Sequence, residues 1–378
     1  MDSWNQELAK HRIAHIEFLY FRARYPRLHG FNAIKGFHGF GGDVPIARIT
    51  TSEGASGWGV LSDTLSVAQQ MGEQLQGKKL SDVFACEEGI RDDNYKAFDL
   101  ALHDLAGCIL NIPVARMINP DAVSWVKIYD GAIYMNDLIP EKKPAGIEKI
   151  LQDCADDIAL GHRTLKIKIG RGHMFMEHDA GLERDIQVVH RVHEEFPWIT
   201  LMVDANDGYS VDDAIAFLEG VKQVPLYWFE EPMRENAACF RKLKSFIREQ
   251  CPQVRIADGE SYTDISLLTS LAEQGLLDVW QPDVCGYGFT AWRKLLKMLA
   301  KKGYVGSPHA WGYVAKTNCC AHLAAAYPQH IPYIEAVLGD CEGVDLSGYQ
   351  LKEGMLHLPD KPGFGMDLEI ALEIGKTF

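Results

Sequence analysis

The chain has 378 residues, 47% of them hydrophobic, long enough to bury a large core and to hold two domains, one of them a barrel of roughly 200–250 residues. Its acidic balance, 52 Asp and Glu against 38 Lys and Arg for a net charge of −14, comes without a basic block or an aromatic-basic repeat, which argues against nucleic acid as a partner. No charged stretch leading into an apolar one follows Met1, and no run approaches about 18 apolar residues, so export and membrane insertion are not expected and a cytoplasmic location is.

Residues His11 to Phe21 and Pro45 to Leu61 alternate like strands, and Ser52-Glu53-Gly54-Ala55-Ser56-Gly57 predicts a hairpin within the second. Between them, residues 22–44 carry Arg24, Arg27, His29, Lys35 and His38 among five glycines and three phenylalanines, the composition of a functional or mobile loop. Helical periodicity follows from Leu65. It is strongest over Ala97 to Leu110, where Phe98, Leu102, Leu105 and Ile109 share a face, and Pro113 is expected to stop that helix. Residues 1–124 thus read as an α+β unit.

From Trp125 short apolar runs alternate with amphipathic helices, the pattern of βα units in a parallel sheet. The runs are Trp125 to Tyr129, Thr164 to Lys168, Ile199 to Asp204, Leu226 to Glu230, Arg255 to Glu260, Asp278 to Asp283, Tyr304 to His309 and Tyr333 to Glu335. Eight runs suggest a closed barrel over residues 125–343, and Ser210-Val211-Asp212-Asp213 predicts a capped helix start inside it. Residues 344–378 lose the alternation and are expected to pack back on the first unit. Nine cysteines without a C-x-x-C pair point to reduced thiols, with Cys319 and Cys320 in an apolar helical pattern and hence in the core.

Six of the last seven runs end on a residue that titrates or binds metal, and the seventh ends on Lys168. In a barrel all these ends meet at one face. Lys166 and Lys168 share a face of their strand; such a pair alone is an ordinary solvated edge, but the carboxylates and the histidine on the later strand ends give it a catalytic meaning. Asp204, Glu230 and Glu260 are three carboxylates that repel one another in a pocket unless a cation neutralises them, and a hard ion, Mg²⁺, suits all-oxygen ligands. Such a metal stabilises the enediolate formed when the proton α to a carboxylate is removed. Lys168 is the expected base, with Lys166 depressing its pKa and holding the substrate carboxylate. Asp283 and His309 form a second acid/base pair, and Glu335 is expected to donate to the substrate carboxylate with a pKa raised by burial.

Together these stretches resemble the enolase superfamily, and within it the mandelate racemase subgroup. The carriers are Lys166-Ile167-Lys168, Val203-Asp204-Ala205-Asn206, Phe229-Glu230-Glu231-Pro232, Asp258-Gly259-Glu260, Gln281-Pro282-Asp283 and Ser307-Pro308-His309, with the helix signature from Ala97 to Gly107. The resemblance implies a modified (β/α)7β TIM-type barrel under an α+β capping domain built from both termini. It places the metal ligand on Glu230 rather than Glu231, makes Asn206 a substrate contact, and makes the 22–44 stretch a lid that helps choose the substrate. Membership leaves the overall reaction open. Dehydration of an acid sugar to a 2-keto-3-deoxy acid is favoured, because the subgroup is rich in such enzymes and Arg24, Arg27, His29, Lys35 and His38 suit hydroxyls or a distal carboxylate. A racemase or epimerase of a 2-hydroxy acid is the second reading and a non-catalytic metal-binding relative the third. The expected partners are a small-molecule carboxylate and further copies of the chain in a homo-oligomer, with neither nucleic acid nor membrane.

Overall fold

In the computed structural model, which describes residues 2–261, 263–369 and 372–373, the N-terminal strands form an antiparallel sheet. Ile13–His29 pairs with Gly39–Thr51, which pairs with Ser56–Val60 across the expected turn. Helix Asp99–Leu110 lies so close on this sheet that a Cβ on Gly57 or Gly59 would collide with its backbone at Leu105 or Ala101. The helix ends at Asn111, a left-handed residue with φ 54°, and not at Pro113, which precedes the next short helix, Val114–Ile118.

The loop expected over residues 22–44 is a correction. Most of it is a two-stranded ribbon, with Arg22 opposite Asp43 and Arg24 opposite Gly41, and the irregular part is residues 30–38. Beneath the charged composition runs a two-residue period, Phe21 and Ala23 buried with Arg22 and Arg24 exposed between them. The tip is pinned to the barrel by a hydrogen bond from Met135 N to Phe31 O at 2.9 Å and by the Phe31 ring stacked on Phe175.

Eight parallel strands form the barrel: Trp125–Ile133, Thr164–Lys168, Thr200–Asp204, Leu226–Glu230, Arg255–Asp258, Val279–Trp280, Val305–Gly306 and Ile334–Ala336. Strands one to seven pair in chain order, and the eighth pairs with the first, Glu335 opposite Tyr129. Alternation divides each strand between two environments. Met202 and Trp228 join Tyr129, Ala257 and Val279 in a plug inside the barrel, while Val203 and Phe229 pack in the main core with the helices. The residue two places beyond Met202 and Trp228 on the same face is Asp204 or Glu230. The strands carrying Glu260, Asp283 and His309 stop before those residues, because Gly259 turns left-handed at φ 112° and Pro282 and Pro308 have no N–H for the ladder. The capped start at Ser210 is present, its hydroxyl accepting from Asp213 N at 3.1 Å.

The tail divides. Met366 O accepts from the Trp58 indole at 2.9 Å, Phe364 N donates to Asp104 at 2.7 Å, and Leu372–Glu373 pairs with the first strand of the N-terminal sheet. Residues 350–357, expected there too, instead form a hairpin whose Leu356 pairs with Val126 of the first barrel strand. All nine cysteines are thiols, and Cys319 and Cys320 are buried. Among the described residues no helix is long and apolar enough to cross a membrane.

Candidate active site

The second barrel strand turns Lys166 and Lys168 inward, and its neighbours run in register beside it, Lys168 opposite Asp204 and Asp204 opposite Glu230. Two ammonium groups therefore meet two carboxylates almost without solvent. Lys168 pairs with Asp204, and Lys166 pairs with Glu230, with Asp204 at 3.2 Å and with Glu335 at 3.1 Å. This corrects the expected pKa of the lysine base. Burial is the largest influence and disfavours the Lys168 ammonium, as does Lys166, but Asp204, Glu260 and Glu230 together prevail and the pKa is raised. Lys166 rises further, burial being overcome by Glu230 and Glu335.

Asp204 is buried, yet Lys168 and Lys166 hold its carboxyl below the usual range, and its Oδ1 accepts from Asn206 N at 2.8 Å. Burial instead pushes Glu230 and Glu260 up to about 8, so more carboxylate is gathered here than the cations neutralise. Glu230 Oε2 accepts from Gln281 Nε2 at 2.7 Å. Glu260 Oε2 is 3.3 Å from His309 Nε2 but without hydrogen-bond alignment, which leaves it unpartnered and buried among the described residues. No three acidic, imidazole or thiol groups converge as a metal cluster among the described residues, since Asp204 and Glu230 turn toward the lysines. The donor set nonetheless fits a hard divalent cation: all oxygen, on neighbouring strand ends, with an unsatisfied buried oxygen and excess negative charge. Asn206, left-handed at φ 42°, departs from the strand's alternation and donates to Glu231 at 3.1 Å, while its amide oxygen has no partner among the described residues.

On the other side of the carboxylates, a parallel bridge joins Asp283 to His309 and sets His309 Nδ1 2.7 Å from Asp283 Oδ2. Asp283 Oδ1 accepts from the backbone of Cys285 at 2.9 Å and Gly286 at 2.7 Å. Burial works against the His309 imidazolium, but Glu260, Glu335 and Asp283 outweigh it and carry the pKa up to about 9. Two residues of this constellation are given no role by the sequence pattern, Gln281, which stands only within a resembling stretch, and Lys316. Lys316 donates to Asp283 Oδ2, the oxygen that faces His309, and its one signal was a lysine within the apolar helix Val314–Ala326. Glu335 is also corrected. Burial raises it, but Lys166, His309 and Lys168 prevail and lower it to about 2, so it is an ionised acceptor, taking Ala310 N at 3.0 Å, rather than a donor. Gly131 makes room for it, since a Cβ there would collide with the Glu335 carboxylate.

The cations of the 22–44 stretch separate. Arg24 lies away from the site in an exposed pair with Glu342 at 2.8 Å, which corrects its expected substrate contact. Arg27 is engaged by Asp157 and, at 3.5 Å, by Asp153. His29 and His38 do reach the site, stacked on or packed against Tyr134, whose ring lies 5.8 Å from Lys168 Nζ.

The chain belongs to the enolase superfamily: a family model described as enolase C-terminal domain-like matches residues 149–371. A galacturonate dehydratase from Geobacillus sp., solved with D-galacturonate and 5-keto-4-deoxy-D-galacturonate, superposes with a TM-score of 0.86 at 30% identity, over 96% of this chain and 95% of that one. A mandelate racemase/muconate lactonizing protein from Geobacillus sp., complexed with magnesium and tartrate, does so with 0.86 at 30% identity, over 95% and 93%. The D-galactarolactone cycloisomerase of Agrobacterium fabrum is 25% identical over 303 residues, 75% of this chain and 73% of the relative. The barrel under an α+β cap is the fold these likenesses share, and the named activities are of lyase and isomerase type.

Proposed function

We propose that the protein removes the proton α to the carboxylate of an acid sugar and eliminates the β-hydroxyl, yielding a 2-keto-3-deoxy acid. The observation that carries this is the placement of Lys168 and the Asp283-backed His309 on either side of carboxylates at neighbouring strand ends. Support comes from the dehydratase likeness and from the magnesium in a relative of 30% identity.

Asp204, Glu230 and Glu260 hold Mg²⁺ in this reading. When bound, the ion supplies positive charge against which the enediolate develops its negative charge. A cation held by Asp204 would weaken the hold of that carboxylate on Lys168, and repulsion from Lys166 would then favour the neutral amine that takes the α-proton. The C–H electron pair becomes the new C=C bond, the bond from the β-carbon to its hydroxyl breaks, and His309 delivers the proton that makes the leaving group water. Asp283 keeps the Nδ1–H tautomer and so aims Nε2 at the leaving group. The resulting enol takes a proton at the β-carbon and becomes the keto acid. Lys166, anchored by Glu335, faces the substrate carboxylate, and the Asn206 amide oxygen accepts from a substrate hydroxyl.

The test is a panel of mono- and diacid sugars with Mg²⁺ in D₂O, assayed for 2-keto acid and for α-deuterium in unreacted substrate. Keto acid from a panel member is expected. Deuterium with inverted configuration and no keto acid would replace elimination by racemisation or epimerisation. EDTA should abolish turnover and Mg²⁺ restore it; full turnover in EDTA would reject the ligand assignment.

A further inference from the structure

The barrel is concave at its other end too. Opposite the face that carries Lys168 and His309, a cavity of about 620 Å³ lies between the starts of barrel strands three to five, where Thr200, Leu226 and Arg255 line it, and helix Ala237–Gln250, which contributes Lys244 and Arg248. Three cations meet one carboxylate, Asp278, in this cavity, although the chain as a whole carries a net charge of −14. Lys244 is buried and paired with Asp278, whose Oδ2 also accepts from Ile256 N at 2.7 Å. That pair is neutral, so the surplus charge belongs to the two arginines.

Arg255, half-buried, has its guanidinium carbon 4.4 Å from the centre of the Tyr227 ring, and Arg248 donates to Gly275 O at 3.2 Å. Among the described residues neither forms an ion pair, whereas Arg22, Arg27, Arg48, Arg163 and Arg171 each pair with an Asp or Glu. A guanidinium resting on an aromatic face is held in place while its in-plane N–H groups stay available to an acceptor. Two such charges in one cavity repel each other unless an anion joins them. A doubly charged tetrahedral oxyanion does so, because it can offer a pair of oxygens to a guanidinium fork and still has an oxygen for the second. Pro225, Ile247, Pro252 and Val254, also in the lining, add apolar contact for an organic group attached to that anion.

We propose that this cavity binds a phosphate monoester, with Arg248 and Arg255 on the phosphate, at a site separate from the proton-transfer centre. Thr200 and Asp204 stand at the two ends of one strand, about 13 Å apart at the rise of an extended chain. The cavity shares no side chain with the centre at the strand ends, so the proposal stands whatever reaction occurs there.

The experiment is calorimetric titration of the protein, with Mg²⁺ and at low ionic strength, by inorganic phosphate, phenyl phosphate and benzoate. Phenyl phosphate should bind about threefold or more tightly than inorganic phosphate, and benzoate, with one charge, more weakly than either. Arg255→Met keeps an apolar stem over Tyr227, and it and Arg248→Met should each weaken phenyl phosphate about tenfold or more while leaving the melting temperature of the unliganded protein unchanged. Should Arg255→Met lower that temperature, Arg248→Glu, at an exposed position, carries the same comparison. Phenyl phosphate should raise the melting temperature of the wild type and leave that of the double arginine variant where it is. Lys168→Ala should bind phenyl phosphate as the wild type does. Binding lost in Lys168→Ala but kept in the double arginine variant would put the anion at the strand ends and overturn the proposal. Benzoate bound as tightly as phenyl phosphate, or no binding of either phosphate at about 10 mM, also overturns it. A smaller particle on gel filtration of the double variant, with no stabilisation of the wild type by phosphate, would assign the cavity to contact between copies of the chain and overturn it likewise.

Discussion

The floor of the site and its wall meet at Tyr134, whose ring lies 5.8 Å from Lys168 Nζ, but are made on opposite plans. The floor, on barrel strand ends, concentrates Lys166, Lys168, Asp204, Glu230, Glu260, Asp283, His309 and Glu335, most of them in ion pairs and with more carboxylate than the cations neutralise. The wall comes largely from the N-terminal ribbon and holds neutral rings with unsatisfied nitrogens. In the proposed reaction charge suits the floor, because proton transfer needs groups whose affinity for a proton is set by neighbours. The rings of the wall stay neutral because burial without a counter-charge excludes the protonated imidazole.

Substitutions at the floor should produce the largest effects. Lys168→Ala or His309→Asn should lower keto-acid formation by about 10³-fold or more while leaving the circular dichroism spectrum unchanged. Near-normal turnover in either would remove the floor's catalytic role. Lys316→Met should lower kcat by about 10- to 100-fold, since Asp283 loses the cation that holds it well below the carboxylate range. Lys316→Arg should recover part of the loss, and α-deuterium exchange through Lys168 should persist in both; loss of exchange together with elimination would show that Lys316 merely supports the fold.

The wall should reveal itself in stability rather than rate. His29 lies near 3 in the fold, below its ordinary 6.5, because burial excludes the charged ring. Between those values the unfolded chain binds a proton that the folded chain does not, so stability is fully present above about 6.5 and lost as pH falls. Melting temperatures from about pH 7 to 4.5 should therefore fall less steeply in His29→Phe than in the wild type. Parallel slopes would mean that the buried ring is not what titrates. The smallest effect is expected far from both regions: Ser210→Ala removes a helix cap and should cost about 1 kcal/mol in chemical denaturation with kcat unaltered.

Much of the floor was legible because its signals are local. Asp204, Glu230 and Lys168 end strands whose alternation can be counted, and βα spacing brings those ends to one face. Glu260, Asp283 and His309 were found at equivalent points although Gly259, Pro282 and Pro308 end their strands early. The wall was less legible. A stretch rich in glycine and cations suggested a loop, yet Phe21 and Ala23 alternate with Arg22 and Arg24 as in any ribbon.

The sequence by itself determined the barrel, the cap and most residues at the strand ends, since periodicity, turn chemistry and spacing are properties of neighbouring residues. Tertiary structure alone decided which charges neutralise which. Arg27 meets an aspartate 130 residues away, Arg24 meets Glu342, and Asp283 meets Lys316. A charged group takes its proton affinity from whatever shares its low-dielectric surroundings, and those partners come together once the chain has closed the barrel and laid the ribbon across it.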